Sequence, residues 1–355
     1  MRPLLVFAGG GTGGHIFPAL STARHLNVPV LFAGSSFGME RTLVPAGGFP
    51  FVGFPVKGFV GVPAWKKALR LPLLGWALAR ALILMLVLHP RAVLGFGGYA
   101  SLPVLFWARL LRIPYFLQEQ NATPGAVTRF FAPGARAVFA GFPDLEVKGR
   151  IVVTGNPVRE EIRAVPVLDR VELPLKVFIL GGSQGSAFLN RLFMEAAPRL
   201  KTLPAVWVHQ TGRAEHERMR AAWTAAGADA VVEPFIERVW ETYGWAHFLV
   251  CRSGAMTVAE SAASGRPALL IPFAGAANDH QTQNAAWLVR EEAGLMASER
   301  DLGPEALLAV LESVLADPSS LVRMSRRLKT LDRPGGLDLL RRTLAPILGD
   351  AHAVP

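Results

Sequence analysis

The sequence predicts an α/β chain built from two parallel-sheet halves. Three observations carry that prediction. Short apolar runs alternate with helical patterns along the chain, which argues for parallel strands with crossover helices. Two glycine-rich turns follow such runs at matching places in the two halves. The 355 residues, 51% of them hydrophobic, suffice for about two domains with cores of their own.

The first half opens on the strand-like run Leu4–Phe7, followed by Ala8-Gly9-Gly10-Gly11-Thr12-Gly13-Gly14-His15 and a helical pattern over His15–Leu26. Glycine lets backbone approach a ligand closely. A helix start behind the turn offers N–H groups and partial positive charge. Further strands are predicted at Val30–Ala33, Ala92–Gly95, Tyr115–Leu117 and Ala137–Ala140. Gly9, Gly11 and Gly14 satisfy the GxGxxG pattern of dinucleotide sites. The second strand, however, ends Phe32-Ala33-Gly34-Ser35-Ser36, without the acid that would hold a ribose. A nicotinamide nucleotide is therefore disfavoured. His15 stands where a helix dipole disfavours an imidazolium, which makes it a candidate base or hydrogen-bond acceptor.

Two more polar clusters follow strands: Gly95-Phe96-Gly97-Gly98-Tyr99-Ala100-Ser101 and Gln118-Glu119-Gln120-Asn121. Ligands of open α/β sheets sit at the carboxyl ends of strands, so both clusters belong beside the first turn. Glu119 is the only acid between Glu40 and Asp144, which marks it as placed.

The segment Trp65–Leu88 reads WKKALRLPLLGWALARALILMLVL. A membrane span is disfavoured because a central Arg80 costs roughly 2.5–3.5 kcal/mol on insertion scales. Pro72 and Gly75 also interrupt it, so two shorter helices are expected. Trp65, Lys66, Lys67, Arg70, Leu73, Trp76 and Arg80 form a basic-rimmed apolar pattern suited to a membrane interface. Trp107–Arg112 extends that pattern. The other reading is a crossover helix buried against the sheet.

A Pro-rich stretch from Gly155-Asn156-Pro157 to Pro174 marks the boundary. The second half then repeats the plan. Strands are predicted at Val177–Leu180, Ala205–Val208, His247–Val250 and Ala268–Ile271, with helices at Ala187–Leu200 and Ala255–Ser264. The second turn is Gly181-Gly182-Ser183-Gln184-Gly185-Ser186. After the third of these strands comes Cys251-Arg252-Ser253-Gly254-Ala255, and Glu260 lies in the next helix, where a carboxylate can accept both hydroxyls of a ribose. Asn278-Asp279-His280-Gln281-Thr282-Gln283-Asn284 is an amide-rich helix start suited to sugar hydroxyls. A final helix around Leu337–Leu348 is expected to cross back onto the first half. The expected domains are 1–160 with 333–355, and 161–332.

Charge is divided unequally. Residues 1–150 hold 15 Lys and Arg against 4 Asp and Glu; residues 151–355 hold 22 against 23. The net +10 therefore sits in the first half and points to an anionic partner: nucleic acid, anionic lipid or a charged substrate. One cysteine, Cys251, allows no internal disulfide and fits a reducing compartment. The first strand starts at once, so no signal peptide is expected. No metal-ligand spacing is seen.

GGGTGGHIFPAL, GFGGYAS, EQN, GNPVR, GGSQGS, CRSGAMTVAE and DHQTQNA, in this order and spacing, resemble the MurG family of peptidoglycan N-acetylglucosaminyltransferases, glycosyltransferase family 28. The resemblance spans essentially the whole chain. It implies a GT-B fold, two Rossmann-like parallel-sheet domains separated by a deep cleft. It also implies inverting transfer of N-acetylglucosamine (GlcNAc) from UDP-GlcNAc to the C4 hydroxyl of N-acetylmuramic acid in lipid I, giving lipid II. The implied partners are UDP-GlcNAc, lipid I and an anionic membrane surface, with no nucleic acid, metal or other cofactor. The implied location is the cytoplasmic face of the bacterial cell membrane, in service of cell-wall synthesis, cell shape and division.

The resemblance assigns Thr12, Gly13, Gly14 and Asn121 to the donor from the first half. Arg159 and Ser183 fall to its diphosphate, Ile236 to uracil through its backbone, and Ala255, Met256, Thr257, Val258, Ala259 and Glu260 to the nucleotide, with Glu260 on the ribose. Gln281 is assigned to sugar hydroxyls. The residues' own placement, apart from the resemblance, makes His15 and Glu119 the candidate catalytic bases and puts Tyr99, in the Gly95–Ser101 turn, on the acceptor side. Two positions depart from the family pattern: Gln118 stands where it reads His, and His280-Gln281 where some members have paired glutamines. A UDP-GlcNAc 2-epimerase of the same architecture, and a non-catalytic nucleotide-sugar sensor at a membrane, are the alternatives.

Overall fold

The computed structural model describes residues 5–58, 62–182, 184–276 and 279–348. It divides into two compact units: unit 1, residues through Pro157 together with Arg333 onward, and unit 2, Val158–Asp332.

Among the described residues, unit 1 holds seven strands: β1 (Leu5–Ala8), β2 (Val30–Ser35), β3 (Phe51–Phe54), β4 (Ala92–Gly95), β5 (Tyr115–Glu119), β6 (Val138–Ala140) and β7 (Ile151–Val153). Their order is β3-β2-β1-β4-β5-β6-β7, every pair parallel. The central strands are apolar and buried throughout, as strands covered on both faces must be. Alternate residues serve opposite faces. Leu5 and Phe7 join Ile16, Leu20, Leu340 and Leu344; Val6 and Ala8 join Ala77, Ala81, Met85 and Leu105. The first face is covered by α1 (Gly13–Leu26) and by α14 (Gly336–Leu348), the returning C-terminal helix. A His25–Asp338 contact of 3.1 Å and a bond of 3.1 Å from Arg91 Nη1 to the Leu348 carbonyl tie α14 there. The other face is covered by α3 (Ala64–Leu88) and α4 (Leu102–Leu110). Two short helices, α2 (Glu40–Ala46) and α5 (Ala126–Phe131), follow β2 and β5.

One expectation is corrected. Trp65–Leu88 lies in one helix, not two: α3 runs 25 residues through Pro72 and Gly75. An interior proline costs about 3 kcal/mol by losing a hydrogen bond and crowding the preceding turn. Packing offsets it. Ala77, Ala81 and Met85, four apart, are buried on one stripe, and Trp107 Nε1 donates to the Leu78 carbonyl at 2.8 Å. Strands β3 and β7 also went unforeseen. Both lie at sheet edges and are mostly half-buried, so their apolar pattern is weak.

Unit 2 repeats the plan with β8 (Leu175–Leu180), β9 (Ala205–Gln210), β10 (Ala230–Glu233), β11 (Phe248–Arg252), β12 (Ala268–Ile271) and β13 (Leu295–Met296). The order is β10-β9-β8-β11-β12-β13, again parallel. Helices α6 (Glu160–Arg163), α7 (Ala187–Leu200), α8 (His216–Ala226), α9 (Val239–Trp245), α10 (Ala255–Ser264), α11 (His280–Arg290), α12 (Pro304–Ala316) and α13 (Ser319–Leu331) complete it. In α7, Leu189, Leu192, Phe193, Ala196, Ala197 and Leu200 recur at helical spacing and face the core. They meet a stacked Trp207–Trp223 pair, 5.7 Å between ring centres. In each sheet the strand order reverses once, between β1 and β4 and between β8 and β11. Those are the switch points at which open α/β sheets bind ligands.

Candidate active site

At the carboxyl edge of unit 1, the turn between β1 and α1 carries Gly10 and Gly11 at positive φ, +149° and +88°. Thr12 stands at the N-cap of α1 and is exposed; Gly13 and Gly14 begin the helix. His15 lies half-buried in that first turn. Its Nδ1 is 3.2 Å from the Gly10 carbonyl and 3.1 Å from Thr12 Oγ1. A carbonyl only accepts, so this geometry puts the proton on Nδ1 and leaves Nε2 as the accepting nitrogen. The ring rests against the turn after β4: a Cβ at Gly98 would lie 3.3 Å from it. Tyr99 packs on Gly11 from the same turn. Burial and the nearby Glu40 raise its hydroxyl pKa above the ordinary range.

Glu119 ends β5 and is 3% exposed. Its Oε1 accepts from the Asn121 amide N–H (3.1 Å) and Nδ2 (3.2 Å). Its Oε2 accepts from the Gly125 N–H (3.1 Å) and Thr128 Oγ1 (2.6 Å). Four donors consume the carboxylate, and the effect is to aim Asn121. Gln118, at the position where the resembled family reads His, is buried in an amide network. Its Nε2 donates to Asn156 Oδ1 at 3.3 Å, Asn156 Nδ2 donates to the Gln120 carbonyl at 2.9 Å, and Gln120 Nε2 donates to Gln118 Oε1.

At the carboxyl edge of unit 2, Ser183 lies outside the described residues, and the glycines Gly185 and Gly212 beside it leave no room for a side chain. A Cβ at Gly185 would strike the Thr211 carbonyl, and one at Gly212 the Gln184 carbonyl. Ser186 caps α7, its Oγ accepting from the Leu189 N–H at 3.3 Å and from Arg252 Nε at 2.9 Å. Arg252 lies against Phe188 and Phe273 and pairs with Glu299. Burial lowers its pKa, and Glu299 opposes that shift. Gln210 ends β9 and joins two loops: its Nε2 donates to the Gly182 carbonyl (3.0 Å) and its Oε1 accepts from the Ile236 N–H (3.0 Å).

Ala255, Met256, Thr257, Val258, Ala259 and Glu260 form the first half of α10, whose N-cap residue is Gly254. Tyr243, fully buried, donates its hydroxyl to Glu260 Oε2 at 3.0 Å. Burial raises the Glu260 pKa; the Tyr243 hydroxyl and Arg159 pull it back. Arg159, exposed, lies over the Trp240 ring, 5.3 Å from its centre. Gln281 Oε1 accepts from the Phe273 N–H at 3.0 Å. Buried Cys251 has its pKa pushed up to about 12, mainly by burial, so its thiol is inert.

Glu40, Gln210, Tyr243 and Arg252 are site-edge residues that sequence reasoning did not select. Glu40 carried a signal: it is the only acid before Glu119. Among the described residues, no His, Cys, Asp and Glu gather in a group able to hold a metal.

On α3, Trp65 (62% exposed), Leu73 and Trp76 (59%) face outward, as does Arg80, while Arg70 donates to the Gly58 carbonyl. The side chains of Lys66 and Lys67 lie outside the described residues. Residues Leu69–Leu88 are long and apolar enough, by length and composition, to cross a membrane. Their Ala77–Ala81–Met85 stripe is nevertheless packed within unit 1.

The glycosyltransferase family 28 N-terminal domain is matched over residues 5–140, and the C-terminal domain of the same family over residues 176–339. A Syntrophotalea carbinolica protein is 38% identical over 360 residues, covering 97% of this chain and 99% of its own. An Acidithiobacillus ferrooxidans protein is 42% identical over 338 residues, covering 91% and 92%. Both are named UDP-N-acetylglucosamine–N-acetylmuramyl-(pentapeptide) pyrophosphoryl-undecaprenol N-acetylglucosamine transferase. The crystal structure of Acinetobacter baumannii MurG matches with TM-score 0.77 and 31% identity, covering 95% of this chain and 98% of that one. A spinosyn rhamnosyltransferase complexed with thymidine diphosphate shares the fold, with TM-score 0.65 at 16% identity.

Proposed function

The chain belongs to glycosyltransferase family 28 and has its two-domain GT-B fold; from that premise we propose that it transfers GlcNAc from UDP-GlcNAc to the muramyl C4 hydroxyl of lipid I, with inversion, to give lipid II for the cell wall. The observation that carries this reading is likeness along both units to transferases named for that reaction. A 2-epimerase of the same architecture is not favoured, because no relative named above carries that activity.

The reaction is a direct displacement at the anomeric carbon. The acceptor hydroxyl attacks, the bond to the UDP oxygen breaks, and the proton goes to a base. His15 is that base: its Nδ1–H is held by the Gly10 carbonyl, so Nε2 receives the proton. Glu119 positions Asn121 toward the sugar. Thr12, Gly13 and Gly14 flank the same sugar, and Tyr99 lies on the acceptor side. In unit 2 the charge growing on the diphosphate is stabilised at the turn of Ser183 and the α7 start, with Arg159 contributing. Glu260 holds the ribose through Oε1, its Oε2 being engaged by Tyr243. The α10 residues Ala255–Ala259 flank the nucleotide. Ile236 has given its N–H to Gln210, so its carbonyl is the group left for the uracil N3–H. Gln281 serves the sugar hydroxyls.

The exposed apolar side of α3 and the basic balance of the first half support a peripheral seat on an anionic membrane, at the cytoplasmic face where lipid I is presented. Cell shape and division would then depend on the product. UDP release from UDP-GlcNAc, followed with and without a lipid I analogue, tests the reading. Strict dependence on the analogue is expected. Release without it would favour the epimerase, and binding without release the sensor.

A further inference from the structure

A glycine turn with a helix start behind it ordinarily seats a ligand phosphate. In unit 1 an N–H of that turn, that of Gly11, is taken by a carboxylate of the chain itself. Glu40, the first residue of α2, is 1% exposed. Its Oε2 accepts from the Gly11 N–H at 3.0 Å and its Oε1 from the Ser35 N–H at 2.8 Å. The carboxylate therefore bridges the turns that follow β1 and β2. It also explains two glycines, Gly10 and Gly38, and crowds a third, Gly34, that the Gly9 carbonyl already excludes from carrying a side chain. A Cβ at Gly10 or Gly38 would collide with the carboxylate, and one at Gly34 would lie 3.0 Å from its Cγ. Among the described residues no cation pairs with Glu40, so backbone amides are what hold it. The turn in unit 2 has the opposite neighbour, the guanidinium of Arg252 at Ser186.

We propose that Glu40 is a specificity-determining and positioning residue: its carboxylate fills the anion seat of the first glycine turn, bars a nucleotide diphosphate from it, and fixes the turn that carries His15. Two similar turns thereby acquire different ligands. The donor's diphosphate is left the second turn, and the first serves the sugar and the acceptor. Only the names of donor and acceptor rest on the proposed transfer; the filled seat does not.

The test is calorimetric titration of the full-length protein with inorganic pyrophosphate, alone and with saturating UDP. The wild type is expected to bind pyrophosphate only where UDP displaces it. Glu40→Ala empties the seat and is expected to add one pyrophosphate site that UDP does not displace. A Glu40→Ala protein with wild-type circular dichroism and no added site overturns the proposal. Should that variant not fold, Glu40→Gln decides, because it sets an amide N–H against a backbone N–H and displaces the turn. Turnover at least tenfold lower, with the donor KM within twofold of wild type, supports the proposal; wild-type turnover overturns it. Failure of the wild type to bind UDP would count against the transferase reading instead, leaving the added site in Glu40→Ala readable.

Discussion

His15, in the first turn of α1, and Glu119, at the end of β5, are both candidate bases in the sequence, and their surroundings separate them. Glu119 is spent on four donors. The His15 ring has Nδ1 anchored by the Gly10 carbonyl. His15→Ala is therefore expected to lower kcat by about 10²–10⁴-fold, the usual worth of a general base, with UDP affinity preserved. Near-normal turnover with saturating donor would remove His15 from that role. Tyr243 acts on the donor differently, since its hydroxyl fixes one oxygen of Glu260. Losing a hydrogen bond to a charged group costs about 1.5–3 kcal/mol, so Tyr243→Phe should raise the donor KM at least tenfold and leave kcat near wild type. An equal fall in kcat would show that Tyr243 serves the reaction rather than binding. Glu119 could be singled out in the sequence because acids are scarce around it, and the same scarcity marks Glu40. Nothing in the sequence marks Tyr243 or Gln210. Their partners lie 17 and 26 residues away and are chosen by the course of the loops.

Helix α3 shows where a local rule yields to packing. Pro72 and Gly75 both argue for a break, yet one stripe of Ala77, Ala81 and Met85 seats the helix on the sheet and α4, and it continues. The opposite side keeps Trp65, Leu69, Leu71, Leu73, Trp76, Ile83 and Val87 exposed. Near the end of α4, Leu110 and Leu111 are exposed, and Arg109 lies over exposed Phe130. If this face lies on a membrane, the protein should bind anionic vesicles at low salt and release them as salt rises. Trp76→Ser should weaken binding severalfold without altering UDP affinity. Equal binding to neutral vesicles at high salt would refute the electrostatic part of the docking. The apolar-basic composition was legible from residue types; the continuity of the helix was not, because it depends on what lies beneath it.

For the whole molecule, stability has an acid-sensitive component in the core of unit 2. His209 is fully buried and accepts from Trp223 Nε1 at 3.2 Å; burial lowers its pKa from 6.5 to about 3. Between those values the unfolded chain binds a proton that the folded chain refuses, so stability falls as pH drops from 6.5 toward 3. From pH 6.5 to 4 the loss is as much as about 3 kcal/mol. Urea unfolding at pH 7 and pH 4 should show a larger drop for the wild type than for His209→Gln, which keeps an acceptor and does not titrate near those values. Equal drops would place the acid sensitivity elsewhere. By itself the sequence determined the two α/β units, the glycine turns at matching strand ends, the basic first half and the family resemblance. Each of these is written in local pattern, in composition or in residue identity. Only the tertiary structure decided which turn keeps an anion seat, which carboxylate is already spent, and whether a proline breaks a helix. Those outcomes depend on which buried donors meet which acceptors across tens of residues, and a linear pattern carries no such distances.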